Sequence, residues 1–176
     1  MNVLMMMFLA LSIQQIDPAQ AKRLDNKAIK RAMKHQGLFE RASKKHNIPT
    51  YILYGVAMNE STMIQRAQSG KGDFGLMQIR CRTDAWSWLP WLKKNGLKIK
   101  RCTDLYRPHI NIEAGAMILS HLQDFYNTKE WLLILTGYKC GSRWIKSKKP
   151  MAKDYHHKVL YFGTVLEKIL SGERKG

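Results

Sequence analysis

Acidic residues are scarce in this chain: 13 Asp and Glu stand against 30 Lys and Arg in 176 residues. Each carboxylate therefore has to be accounted for individually. Cysteine is scarcer still. Cys81, Cys102 and Cys140 form no CxxC pair, which argues against a zinc site. After residue 21 no apolar run approaches the length of a membrane span. No strand-like alternation is sustained, and there is no internal repeat or domain linker. Zinc-finger spacing, an RNA-binding aromatic signature and a leucine-zipper heptad are all missing, which counts against a nucleic-acid partner. The histidines, including adjacent His156 and His157, follow no metal-ligand spacing, so neither a metal nor another cofactor is expected.

What is present describes a folded, exported protein. A hydrophobic fraction of 45% and five Trp suit one domain with a real core. The apolar run Val3–Ile13 is short for a membrane span and is followed by Ala19-Gln20-Ala21, a small-x-small cleavage pattern. Residues 1–21 are therefore expected to be a signal peptide and residues 22–176 the mature domain, periplasmic or secreted, with no transmembrane segment once the leader is removed. The bases are dispersed along the chain, as on a solvated surface. Such charge favours anionic polymers, among them those of a cell wall. Export permits a disulfide. Cys81–Cys102 is favoured because it closes a loop around a basic, turn-rich segment, a closure that would contribute roughly 3 kcal/mol. Three unpaired thiols are the alternative.

The periodicity is helical nearly throughout, so the fold class is mainly α. Residues 24–47 read as helix interrupted at Gly37. A helix over Thr50–Glu60 shows Ile52, Leu53, Val56 and Ala57 as one buried stripe. Residues 62–75 read as loop, and Leu76–Ile79 re-enter the core. Residues 83–96 form a short aromatic helix with Asp84 near its start, a kink at Pro90 and a stop at Gly96. Its Trp86, Trp88 and Trp91 serve core packing or sugar stacking. Asn111 is a candidate N-cap for a helix to Asn127 that buries Ile112, Ala116, Leu119, Leu122 and Phe125. A further helix enters at Thr128. A last one, over 152–170, places Tyr155, Val159, Phe162, Leu166 and Ile169 on one face.

Glu60 is the unusual carboxylate. It lies beside an apolar stripe and at a helix C-terminus, where the dipole disfavours negative charge. Both features favour its protonated form. Around it stand Glu60-Ser61, then Ser69–Ile79 (SGKGDFGLMQI), Asn111–Leu119 (NIEAGAMIL), Gly137–Gly141 (GYKCG) and Asp154–Leu160 (DYHHKVL). This ordered set resembles the family 1 lytic transglycosylases, the soluble lytic transglycosylase domain, over about residues 38–161. The most specific parts are the Glu-Ser pair and Gly-Leu-Met-Gln downstream.

The resemblance implies a single lysozyme-like domain of packed helices with a cleft. It implies cleavage of the β-1,4 bond between N-acetylmuramic acid and N-acetylglucosamine in peptidoglycan strands, leaving a 1,6-anhydro end. Glu60 would act as acid and then as base. Ser61, Ser69, Gly75, Met77, Gln78, Tyr138, Lys139 and Tyr155 would line or support the saccharide site. A hydrolysing muramidase and an inactive wall-binding protein are the alternatives. A two-carboxylate glycosidase needs a second acid, and Asp73, in a Gly-flanked turn, and Asp84 are the nearest in sequence. The chain departs from the family's Ala-Tyr-Asn element, with Gly137 in place of Ala and Lys139 in place of Asn. The lysine's charge suits lactyl or peptide carboxylates of the substrate. Asn111, Ala114 and Gly115 match an element concerned with capping and close packing. The small size resembles enzymes that open the wall for secretion or conjugation machines.

Overall fold

The computed structural model describes residues 22–82, 87–141 and 152–172. The leader assigned to residues 1–21 lies outside them, as do Asp84 and Trp86. Six α-helices are present among the described residues: α1 (Asn26–His46), α2 (Thr50–Ser61), α3 (Leu89–Lys94), α4 (Pro108–Tyr126), α5 (Trp131–Cys140) and α6 (Lys153–Leu170). A two-stranded hairpin, β1 (Asp73–Phe74) and β2 (Ile79–Arg80), and a 3-10 turn at Cys102–Tyr106 complete a mainly helical single domain.

Helix α1 starts where the Asp25 carboxylate accepts the Ala28 N–H at 2.6 Å, and it ends at Asn47 in the left-handed region. Gly37 does not interrupt it. A mid-helix glycine costs about 1 kcal/mol, but the buried row Ala28, Ala32, His35, Phe39 and Ala42 runs past it on the opposite face. Tertiary burial outweighs the local preference. Burial, with Lys34 nearby, also pushes the His35 pKa down.

Helix α2 is more deeply placed than one apolar stripe suggests. Every residue from Ile52 to Met58 is buried, as in a central helix. Its closest neighbour is α6. A Cβ at Gly55 would run into the Val159 carbonyl, and one at Gly163 into the Tyr51 carbonyl. The two backbones touch because both crossing points lack side chains. The C-terminal carbonyls of α2 are satisfied from outside. Arg23 donates to Asn59 O at 3.0 Å and Met58 O at 3.3 Å, and Arg31 Nε donates to Thr62 O at 3.2 Å. Two cations at a helix C-terminus also answer its dipole.

Other expectations shift by small, physical amounts. Pro90 lies in the first turn of α3 and starts that helix instead of kinking it. Pro108 starts α4 in the same way, so Asn111 lies inside the helix and is not its cap. Phe125 is exposed, at 57%, because it falls in the last turn of α4, past the core. Leu133 is likewise exposed on α5, whereas Ile134 and Leu135 are buried. The hairpin has two residues per strand, too few to produce an alternating pattern. Cys81 and Cys102 are disulfide-bonded with Cα atoms 5.6 Å apart, and Cys140 is free. Beside that bridge, Asp104 Oδ2 accepts the Lys100 and Arg101 N–H groups at 2.9 Å each.

The α2–α6 contact predicts that Gly163→Ala lowers unfolding free energy by about 2–3 kcal/mol, seen as a lower urea midpoint with unchanged slope. The backbone donors Arg101 and Lys100 hold the Asp104 carboxyl below its usual pKa. Its contribution is therefore fully present above the unfolded value of about 4 and is lost as pH falls through the lower folded value. The stability advantage of the wild type over Asp104→Asn should be constant near neutrality and shrink below about pH 4 in acid titrations of unfolding.

Candidate active site

The turn Gly75-Leu76-Met77-Gln78 connects the hairpin strands, and three helices hold its backbone. From α2, Ser61 Oγ lies 2.7 Å from Leu76 O and 3.1 Å from Ala57 O, with one proton to give to either. From α4, fully buried Asn111 accepts the Met77 N–H at 2.7 Å and donates to Phe74 O at 2.8 Å. From α5, Tyr138 Oη donates to Met77 O at 2.8 Å. The turn also needs Gly75. Its φ is +78°, and a Cβ there would collide with the Asn111 amide and the Leu105 carbonyl. Gly115 of α4 leaves room for the Met77 side chain.

This anchoring presents Gln78 to a cleft of about 420 Å³ that Glu60 also lines. The Gln78 amide nitrogen is committed to Gly75 O at 2.9 Å and Ala67 O at 3.3 Å. Its amide oxygen is the group left to accept from a ligand. Tyr138, Lys139, Asp73, Arg80, Lys71 and Trp88 share the lining. Glu60 enters at the end of α2 with its side chain only 13% exposed. Lys139 Nζ sits 3.3 Å from Glu60 Oε1 and 5.2 Å from the Tyr155 ring centroid. The Tyr155 hydroxyl is buried and makes no hydrogen bond of ordinary geometry. Burial raises the pKa of this phenol well above the tyrosine range, and Glu60 and then Tyr138 add to the shift. Burial raises Tyr138 likewise, with Glu60 and Asp73 contributing. Both phenols therefore remain neutral, and Tyr138 serves as a hydrogen-bond donor.

The nine expected site positions thus divide. Glu60, Gln78, Tyr138 and Lys139 meet at the cleft. Ser61, Gly75 and Met77 lie behind it and set the turn. Tyr155 packs under Lys139. Ser69 is built into the adjoining turn, where its Oγ donates to Asp73 Oδ2 at 2.7 Å and accepts the Asp73 and Lys71 N–H groups. Tyr138 bonds a backbone carbonyl and not the Glu60 carboxylate. Asn111 has a buried bridging role that its reading as a cap missed. Arg80 was missed as well. It pairs across the hairpin with Asp73, Nη1 to Oδ1 at 3.6 Å. It closes a strand of two residues directly after the turn, too short for any alternation to mark it.

Residues 37–160 match the family described as the transglycosylase SLT domain. The invasion protein IagB of Salmonella typhimurium and that of Salmonella typhi are each 36% identical over 89 residues, 48% of this chain and 51% of theirs. The chain therefore spans about half the length of these curated relatives. The X-ray structure of an inactive mutant of the lytic transglycosylase Slt from Pseudomonas aeruginosa is similar with a TM-score of 0.69 and 22% identity, over 87% of this chain and 27% of that one. That likeness is one of fold, and the fold is lysozyme-like.

The three-helix anchoring predicts that Asn111→Ala, which strands the buried Met77 N–H and Phe74 C=O, costs about 2–5 kcal/mol. It should also speed hydrogen exchange at the Met77 amide far more than at Ala57, in the middle of α2. Equal acceleration at both sites would mean that the bridge is not specific to the turn.

Proposed function

The chain belongs to the transglycosylase SLT family, and we propose that it is an exported peptidoglycan lytic transglycosylase with Glu60 as its sole acid and base. The observation that carries this reading is the pairing of carboxylates at the cleft. Glu60 is largely buried and faces the cavity beside Gln78. Asp73, the other carboxylate lining it among the described residues, is engaged by Ser69 and Arg80 within the hairpin turn. One acid faces the cleft, met by the Lys139 ammonium, and the other is part of the scaffold.

A single-acid route needs no second carboxylate. Glu60, protonated, donates to the glycosidic oxygen as the bond to C1 of the muramyl residue breaks. The substrate's own N-acetyl group stabilises the positive charge that develops. Glu60, now a carboxylate, takes the proton of the C6 hydroxyl as that oxygen attacks C1. The atoms balance without water, and the 1,6-anhydro ring results. Ordered proton transfer of this kind contributes about 10²–10⁴-fold. Gln78 would accept from a sugar hydroxyl or acetamido N–H. Its anchored turn fixes that contact relative to Glu60.

The proposed setting is the cell envelope, reached through the leader at residues 1–21. The proposed partners are glycan strands and a secretion or conjugation machine whose passage through the wall needs local opening. The invasion-protein name of the relatives supports that setting. The basic surface suits the anionic polymers of a wall.

Mass spectrometry of purified wall digested with the protein tests the reaction class. Disaccharide-peptides lighter by one water than their hydrolytic counterparts are expected. Reducing muramyl ends would make the protein a hydrolysing muramidase, and no released fragments would leave it a wall-binding protein.

A further inference from the structure

Lys139 stands where the family pattern has asparagine, and it occupies a position that couples two charges. It lies in the last turn of α5. Its ammonium contacts Glu60 Oε1, rests over the Tyr155 ring, and is about half exposed to the cleft. An ammonium has three donors. One goes to Glu60, and the face away from the Tyr155 ring opens to the cavity. Lys71 adds a second cation to the lining, and among the described residues no acid pairs with it. Arg80 is already matched to Asp73.

The proposed reaction starts with Glu60 neutral. In that form Lys139 loses its counter-charge and stands half exposed at the cleft with donors to offer another acceptor. An anion entering the cleft can take the place of the Glu60 carboxylate. We propose that Lys139 reads a carboxylate on the muramyl side of the substrate, exchanging Glu60 for it as Glu60 takes up a proton from solvent and taking Glu60 back once that proton has passed to the glycosidic oxygen. The proposal rests on the transglycosylase reading of the cleft. Within muramyl glycan it favours strands stripped of their stem peptides, whose lactyl carboxylates are free, over strands in which that carboxyl is an amide. It also explains why a lysine is tolerated against the catalytic acid: the ion pair is the resting partner, and the substrate anion displaces it. Tyr155 supplies a face on which the ammonium can turn between the two without leaving the cleft.

The test is a binding measurement, so its failure is separable from failure of the reaction class, which the product masses decide. Glu60→Gln carries the neutral isostere at position 60. It is titrated calorimetrically with peptide-stripped wall strands bearing free lactyl carboxylates, and with the same strands converted to primary amides. The acid strands should bind about tenfold more tightly than the amidated ones, the scale of one charged hydrogen bond. They should also bind Glu60→Gln more tightly than the wild type, where Glu60 competes for the ammonium. Adding Lys139→Met should abolish the difference between strands, and Lys139→Arg should retain it. Equal binding of both strands by Glu60→Gln overturns the proposal. So does a preference that survives Lys139→Met and disappears in Lys71→Met, because the carboxylate is then read by the other cation.

Discussion

Two hydrogen bonds made by one buried amide hold the cleft in shape. Asn111 accepts from Met77 N–H and donates to Phe74 C=O, closing a turn whose backbone would otherwise be buried without partners. Ser61 on the Leu76 carbonyl and Tyr138 on the Met77 carbonyl complete the set. One four-residue turn is thereby referenced to α2, α4 and α5 at once. Only then do Gln78 and Glu60, which lie on different elements, keep a fixed relation. Glycines at 75 and 115 are the spatial counterpart, since one leaves room for the bridging Asn111 amide and the other for the Met77 side chain.

The helix that carries Glu60 is fixed by a different means. It crosses α6 through Gly55 and Gly163 at backbone distance, and its terminal carbonyls are met by Arg23 and Arg31. A carboxylate at the end of such a helix has little freedom to swing into solvent. Its surroundings are two neutral phenols and one ammonium. In the proposed reaction a proton is given and taken back here, with a cation placed to stabilise the charge between the two steps.

Much of this was legible before any coordinates. Glu60 stood out because a carboxylate beside an apolar stripe at a helix C-terminus is an electrostatic oddity, and the Gly-Leu-Met-Gln turn gave it company. Helix positions followed from periodicity, and Cys81 and Cys102 were the favoured pair. What could not be read was long-range or sub-threshold. Asn111 has the propensity of a cap, and only the fold shows that its amide is spent on a turn thirty-four residues away. Gly37 looks like a break, but the buried row opposite it decides. Strands of two residues leave no alternation to detect, so Arg80 and its tie to Asp73 stayed hidden. The arginine caps of α2 join residues more than thirty positions apart, and no local pattern encodes them.

In the proposed reaction one carboxylate makes both proton transfers while its neighbour Asp73 only shapes a turn. The direct test compares initial rates of wall solubilisation for wild type, Glu60→Gln and Asp73→Asn at equal concentrations of folded protein. A loss of at least about 10²-fold in Glu60→Gln, with Asp73→Asn within about tenfold of wild type, is the predicted result. Comparable losses in both variants would contradict it, because they would make the pair a two-carboxylate machine.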